Sequence, residues 1–385
     1  MNSRILRALI LMIIAITANS CIDYYKITTK INADGSVTRT IQVVCDDSTS
    51  VFDGNMKIPT DSSWDISQGM YYEVPGDTNS DKKWEYTATK TFRNVEELNS
   101  FLEVKSDTST QIQIETRFEK KFRWFFTYLK YTETYLKSFP YDYYPPEDFL
   151  TESEMSYIMD DDYTYLPEYD SLVHIKNLDQ IPELTHKDSV RMDDLEEDVL
   201  SRFSEFMGRN IYEELFSVVS DYYADIDTSV YHYLLDNKES LFQECNFDLI
   251  FGHWYDLYET EDPYEVFIKK LNINANADSA LKTKVLKFDD RLELVAEFYM
   301  ADEEIKNVVE MPGLLLNTNA DSIKNAESYW NFSEHYFFIN DYEMVSESRI
   351  VNRWAINITF VTALALLFIL VITGTRRRRM LRKKV

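Results

Sequence analysis

Glycine is scarce in this chain, at eight residues in 385. Loops that cradle phosphates and strained nucleophile elbows depend on closely spaced glycines, because only glycine lets backbone come so near a ligand. The chain has no glycine-rich loop and no Gly-x-Ser-x-Gly element. Histidine numbers five, and His174, His186, His232, His253 and His335 are far apart, with no His-Glu-x-x-His pair to hold zinc. His253, beside Trp254, reads as a packed residue rather than a catalyst. The three cysteines, Cys21, Cys45 and Cys245, are too few for a secreted domain built on disulfides. Basic charge is also short: 40 Lys and Arg stand against 66 Asp and Glu, a net charge of −26. So acidic a chain repels nucleic acid, which is excluded as a partner.

Long apolar runs are confined to the two ends. From Trp354 to Ile372 no residue is charged, and Asn357, Thr359 and Thr362 are its polar members. A helix needs about 20 apolar residues to cross the hydrocarbon of a bilayer, so a transmembrane helix is expected over 354–373. The tail 374–385 holds Arg376, Arg377, Arg378, Arg379, Arg382, Lys383 and Lys384, and the positive-inside rule keeps that end in the cytoplasm. At the other end, Arg4 and Arg7 precede the apolar run Ala8–Ile16 and then Thr17-Ala18-Asn19-Ser20-Cys21. This reads as a signal peptide over 1–20. A cysteine at that place resembles a bacterial lipoprotein signal with Cys21 as the lipidated residue; plain cleavage near Ser20 is the rival. With nine of the 40 basic residues in these end segments and all 66 acidic ones between them, the intervening stretch carries a net charge of −35. The placement expected is the bacterial inner membrane, with that acidic body in the periplasm.

Residues 22–32 and 37–45 alternate in polarity around Ala33-Asp34-Gly35-Ser36, a β-hairpin with glycine supplying the positive φ of the turn. Cys45 shares the apolar face of its strand, and with Cys245 it reads as one of two buried free thiols rather than half of a disulfide. Residues 46–68 read as loop, and Tyr71–Val74 as a short strand. Lys82–Phe92 is a strand. Asn94 caps a helix over 95–103 whose third residue is Glu97, a variant of the capping box. Thr110–Phe118 is a further strand, Glu119-Lys120-Lys121 a turn, and Phe122 to about Lys137 one long strand. Its aromatic residues predict cover on both faces.

Pro140 and Pro145-Pro146 break this pattern. Apolar residues recur at helical spacing over 191–223, where Gly208 is a candidate kink. A second helix holds Val230 to Phe242, and a third starts at Asp262-Pro263. Strands resume at Leu292–Tyr299, Lys306–Met311, Leu314–Asn317, Tyr329-Trp330 and Tyr342–Ile350. The fold expected is α+β: an antiparallel β-sheet domain (21–139 and 286–353) with an inserted α-helical lobe (140–285), plus the C-terminal transmembrane helix. Because both anchors must meet one bilayer, the start of the first strand and the end of the last are expected on the same rim of the sheet.

The order of these features resembles the LppM-type bacterial lipoproteins. The residues carrying it are Cys21 followed by a strand, Asn32-Ala33-Asp34-Gly35-Ser36-Val37, Met311-Pro312-Gly313, Thr318-Asn319-Ala320, Trp330, and the terminal helix with its arginines. They fall in the two β portions, under half of the chain. The resemblance implies an α/β envelope domain linked to lipid or hydrophobic-ligand contact; the helical insertion departs from it.

No catalytic constellation, metal site or cofactor motif is read. The acidic runs Asp160-Asp161-Asp162 and Asp193–Asp198 lack the glycine-shaped turn and alternating ligands of a calcium loop. Asn331-Phe332-Ser333 fits an N-glycan acceptor only in a eukaryote. The functional candidate is the aromatic ribbon Phe122–Tyr144, with Trp124, Phe126, Tyr128, Tyr131 and Tyr135 as a candidate hydrophobic-ligand surface. The leading expectation is a non-enzymatic, membrane-tethered envelope lipoprotein whose acidic domain meets a protein partner. The alternative is a lipid or hydrophobic-ligand binder that uses the aromatic sheet.

Overall fold

Two β-sheets face each other around a core crossed by one buried ion pair. The structure, a computed structural model, describes residues 22–46, 48–52, 56–72, 82–103, 112–160, 163–166, 169, 186–245, five positions between 281 and 288, and 303–382. The signal segment with Cys21, the expected helix at Asp262-Pro263, the strand at Leu292–Tyr299, His174, His253, Asp161 and Asp162 lie outside the described residues.

The elements used below are β1 (Ile22–Ile31), β2 (Val37–Cys45), β3 (Asp65–Tyr72), β4 (Lys82–Phe92), α1 (Val95–Leu102), β5 (Ile114–Phe122), β6 (Phe126–Tyr135), α2 (Glu152–Asp160), α3 (His186–Ile226), α4 (Thr228–Asp236), α5 (Lys238–Glu244), β7 (Glu304–Glu310), β8 (Leu314–Thr318), β9 (Ser322–Lys324), β10 (Glu327–Ser333), β11 (Tyr342–Val351) and α6 (Arg353–Arg382). One sheet has seven strands in the order β3-β4-β2-β1-β7-β10-β9, the other four in the order β5-β6-β11-β8. Pairing is antiparallel except for β1 against β7, which run parallel. The chain is thus α+β, with mainly antiparallel sheets.

Alternation builds the inner faces. Tyr25, Ile27 and Ile31 of β1 and Val37, Ile41, Val43 and Cys45 of β2 are buried, while their neighbours, apart from the buried Val44, are partly or fully exposed. Gly35 has φ +101° in the turn between them, as the hairpin requires. Asn94 caps α1 by accepting from the Glu97 amide, and Arg93 donates its own amide to the Glu97 carboxylate. Asn99 of α1 then pairs like a strand with Thr116, donating to its carbonyl at 2.8 Å and accepting from its amide at 2.9 Å. That contact covers the outer edge of β5, which unpaired would invite another strand.

Across the interior, Arg39 of β2 reaches Glu133 of β6 through both terminal nitrogens, at 2.6 and 3.0 Å. Thr29, Tyr131 and Asn307 complete a hydrogen-bonded group that joins the sheets. Burial opposes the charge on Arg39, but Glu133 beside it outweighs that and keeps the guanidinium protonated. Cys45 and Cys245 are both buried and form no disulfide, as expected.

The helical elements join the sandwich at the end where β6 finishes. Backbone amides of Ser138 and Phe139 donate to Phe337 and Phe338, and the Phe139 ring meets both Phe338 and Phe206 of α3. Arg202 of α3 holds Glu154 of α2 at 2.9 and 2.7 Å. The expected second helix is divided at Asn237 into α4 and α5.

Three expectations are corrected. The short strand expected at Tyr71–Val74 runs instead over Asp65–Tyr72, inside what read as loop: β3 is an edge strand that pairs with β4 alone, and its sparse apolar residues hide it. The turn after β5 lies at Arg123-Trp124-Phe125, not at Glu119-Lys120-Lys121: β5 runs on to Phe122, and the strand expected to start at Phe122 starts at Phe126. The start of β1 and the end of β11 lie on opposite rims. β1 and β7 run side by side in one direction, and β7 leads through Pro312-Gly313 to β8, where Gly313 touches the Arg349 carbonyl near the end of β11. Ile22 therefore stands at the far end, about 30 Å along β1 at the usual strand rise.

Beyond β11, α6 contains Arg353–Thr375, 23 residues whose most apolar 18-residue window has a mean hydropathy of 2.7, with almost none of that window buried against the rest of the protein. It is long and apolar enough to cross a membrane.

Candidate membrane-interface site

The β5–β6 hairpin ends in Arg123-Trp124-Phe125, closed by the Arg123 amide donating to the Phe126 carbonyl at 2.7 Å. A tip of this kind is ordinarily polar, because its backbone faces water. Here it rests on α6. Asn352, the one residue between β11 and α6, donates its backbone amide to Phe125 O at 2.9 Å. Its side-chain amide donates to the carbonyls of Arg123 at 2.7 Å and Trp124 at 3.3 Å, and its carbonyl accepts from the Thr127 hydroxyl at 3.0 Å. The Trp124 indole N–H donates to Thr359 Oγ1 at 2.8 Å, two turns into the helix. Trp354 stacks on Phe122 with ring centres 6.2 Å apart and meets Trp124 edge-on at 5.4 Å.

Strand and helix are thereby joined by a brace rather than a linker. Trp124 remains 47% exposed and Trp354 50%, an indole pair at the point where the apolar helix leaves the body. Tryptophan suits that setting, having an apolar ring and one polar hydrogen to place.

The five aromatic residues expected to form a hydrophobic-ligand surface do not share a face. Phe126 and Tyr128 lie on the outer side of β6, and Trp124 is at the tip. Tyr131 and Tyr135 point inward, 1% and 0% exposed. Tyr131 donates to Glu133, and the Tyr135 hydroxyl accepts from Asn307. Burial, reinforced by the Glu133 charge, pushes both phenols well above their ordinary range. The inner face of β6 is covered by the seven-stranded sheet, not by the helical lobe.

Beside Phe126 a groove of about 310 Å³ opens between β8 and β11, lined by Phe126, Gly313, Leu314, Arg349, Ile350 and Arg353 among others. The Arg349 guanidinium lies over the Phe126 ring at 4.9 Å. Gly313 has φ +91°, and a Cβ there would stand 2.3 Å from the Arg349 carbonyl, so the turn forming one wall is pressed directly on β11. Sequence reading missed Asn352, Thr359, Gly313, Arg349 and Arg353. One signal for them was available: 120–128, 311–318 and 348–354 contain Lys120, Lys121, Arg123, Arg349 and Arg353 and no acidic residue, in a chain of net charge −26.

No family model and no curated protein matches this chain. Among solved structures, the folded domain of the LppM protein of Mycobacterium tuberculosis is similar at 8% identity, over 86% of this chain and 91% of that one, with a TM-score of 0.26. The similarity to that lipoprotein domain is weak, and no residue role is taken from it.

Proposed function

We propose that this chain is a non-enzymatic envelope protein held in the bacterial inner membrane by α6, with its acidic body in the periplasm and its basic tail in the cytoplasm. The observation that supports this best is the brace of Asn352, Trp124 and Thr359. A body joined to an apolar helix without slack takes one orientation on a bilayer. The helical lobe, attached at the far end through Phe139 and Phe338, is then carried away from the lipid, where it presents acidic surface to a protein partner. A lipid on Cys21 is a rival to this posture rather than part of it, because Ile22 stands on the rim opposite α6.

A reporter fused after Val385 tests the orientation. A fluorescent protein there is expected to glow and alkaline phosphatase to be inactive; an active phosphatase overturns the reading. In-cell crosslinking with mass spectrometry should recover partner peptides joined to α2–α5, and crosslinks confined to the sandwich would remove the lobe from the proposal.

A further inference from the structure

We propose that the groove between β8 and β11 binds the phosphate headgroup of an anionic phospholipid from the bilayer that α6 enters. Arg349 and Arg353 supply the charge, and Leu314 and Ile350 the apolar wall against which the first part of an acyl chain lies. The inference rests on the reading of α6 as a bilayer span.

Three observations favour this occupant. The first is position. Arg353 is the first residue of α6, and Trp354 follows it, so the groove opens at the level where headgroups meet hydrocarbon. The second is charge. Among the described residues, Arg349 and Arg353 have no ion-pair partner, and Arg349 contacts only the Phe126 ring through its guanidinium. Three other arginines among the described residues are matched: Arg39 with Glu133, Arg202 with Glu154 and Asp198, Arg209 with Glu205 and Glu239. In a protein with so many carboxylates, two unmatched arginines side by side fit an anion from outside the chain, and a guanidinium fork suits phosphate oxygens. The third is the mixed lining. Leu314 is 56% exposed in the groove, an apolar side chain next to two cations. A soluble anion would use only the arginines, whereas a phospholipid uses both. The surrounding acidic body does not oppose this, because the rim itself carries no carboxylate over 120–128, 311–318 and 348–354.

Native mass spectrometry of the full-length protein, released from micelles containing phosphatidylglycerol and phosphatidylcholine, tests the site. The wild type is expected to retain one phosphatidylglycerol in preference to phosphatidylcholine. Arg349→Gln/Arg353→Gln should lower that occupancy on the order of 20-fold, the scale of two cations at an anionic surface. Arg349→Lys/Arg353→Lys, which keeps the charge, should fall between them. The rival cationic site is the tail, so Arg376→Gln/Arg377→Gln/Arg378→Gln/Arg379→Gln should retain the lipid. Equal retention of the two lipids by the wild type, unchanged retention by the Gln pair, a Lys pair no better than the Gln pair, or loss in the tail variant would each overturn the proposal. The Val385 reporter tests the bilayer span alone and these variants test the groove alone, so the two failures are distinguishable.

Discussion

Arg39 and Glu133 meet across the sandwich, one from each sheet, with side chains that are 1% and 0% exposed. Neither charge has water to fall back on, so each is tolerated only because of the other. Removing one partner from such a pair costs about 3–5 kcal/mol, while replacing both with apolar residues of similar size costs far less. Glu133→Gln should therefore lower the denaturation midpoint sharply. Arg39→Met with Glu133→Leu should cost less than the two single changes together, a non-additivity that equilibrium unfolding can measure. Additive losses would mean that the two side chains act independently.

The same carboxylate sets an acid limit. Burial would raise the pKa of Glu133, but the Arg39 charge and the hydrogen bonds donated by Arg39, Tyr131 and Asn307 together outweigh it and hold it below the usual glutamate range. A depressed folded value gives stability that is fully present above the unfolded value of about 4.3 and is lost as pH falls through the folded one. Urea midpoints between pH 7 and pH 5 should be flat with respect to this group and should decline below that. Glu133→Gln, less stable throughout, should show a shallower acid decline. Parallel curves for the two proteins would assign the decline to other carboxylates.

Asn352 makes four hydrogen bonds to one hairpin from between a strand and a helix. Asn352→Ala keeps the backbone bond and removes the other three. Leaving the carbonyls of Arg123 and Trp124 without that donor should cost about 1–3 kcal/mol. It should also loosen the angle between body and helix. Distances between spin labels on β4 and on α6, measured in nanodiscs, should broaden in the variant; an unchanged distribution would show that the aromatic contacts suffice.

Brominated lipids offer a test of how the body sits. With Ile22 paired to Cys45, and Cys45 to Trp84, those residues mark the rim opposite α6. In single-tryptophan variants, Trp124 and Trp354 should be quenched by bromines near the headgroups, and Trp84 should not. Quenching at Trp84 would mean that the sandwich lies on its side. That posture is the one in which a lipid on Cys21, one residue before Ile22, reaches the same bilayer as α6.

Local signals served the sequence reading well where one face was buried and the other wet. The β1–β2 hairpin, β4 and the capped helix α1 stand at the residues expected, because alternation and the Asn94 cap are written within a few positions. β7 and β8 around Pro312-Gly313 were legible for the same reason. The hairpin tip was misread because Trp124 and Phe125 are apolar in a place that is normally polar, and the cause is α6, 235 positions away from Trp124 at Thr359. Aromatic abundance in the ribbon was visible, but its sidedness was not: the misplaced turn put the tip residues into the strand that follows. The buried pairing of Arg39 with Glu133 left no trace, since the alternation of β6 marks Glu133 only as a charge among tyrosines.

The parallel pairing of β1 with β7 places side by side two segments separated by roughly 270 residues, so closing this sheet means closing a very long loop. Until β7 has been made, the inner edge of β1 has nothing to bind, and β7 is made long after β1. The helices between can gather early on local contacts. The sandwich has to wait, and during that interval an open strand edge is a hazard for aggregation that must be shielded by something other than its eventual neighbour.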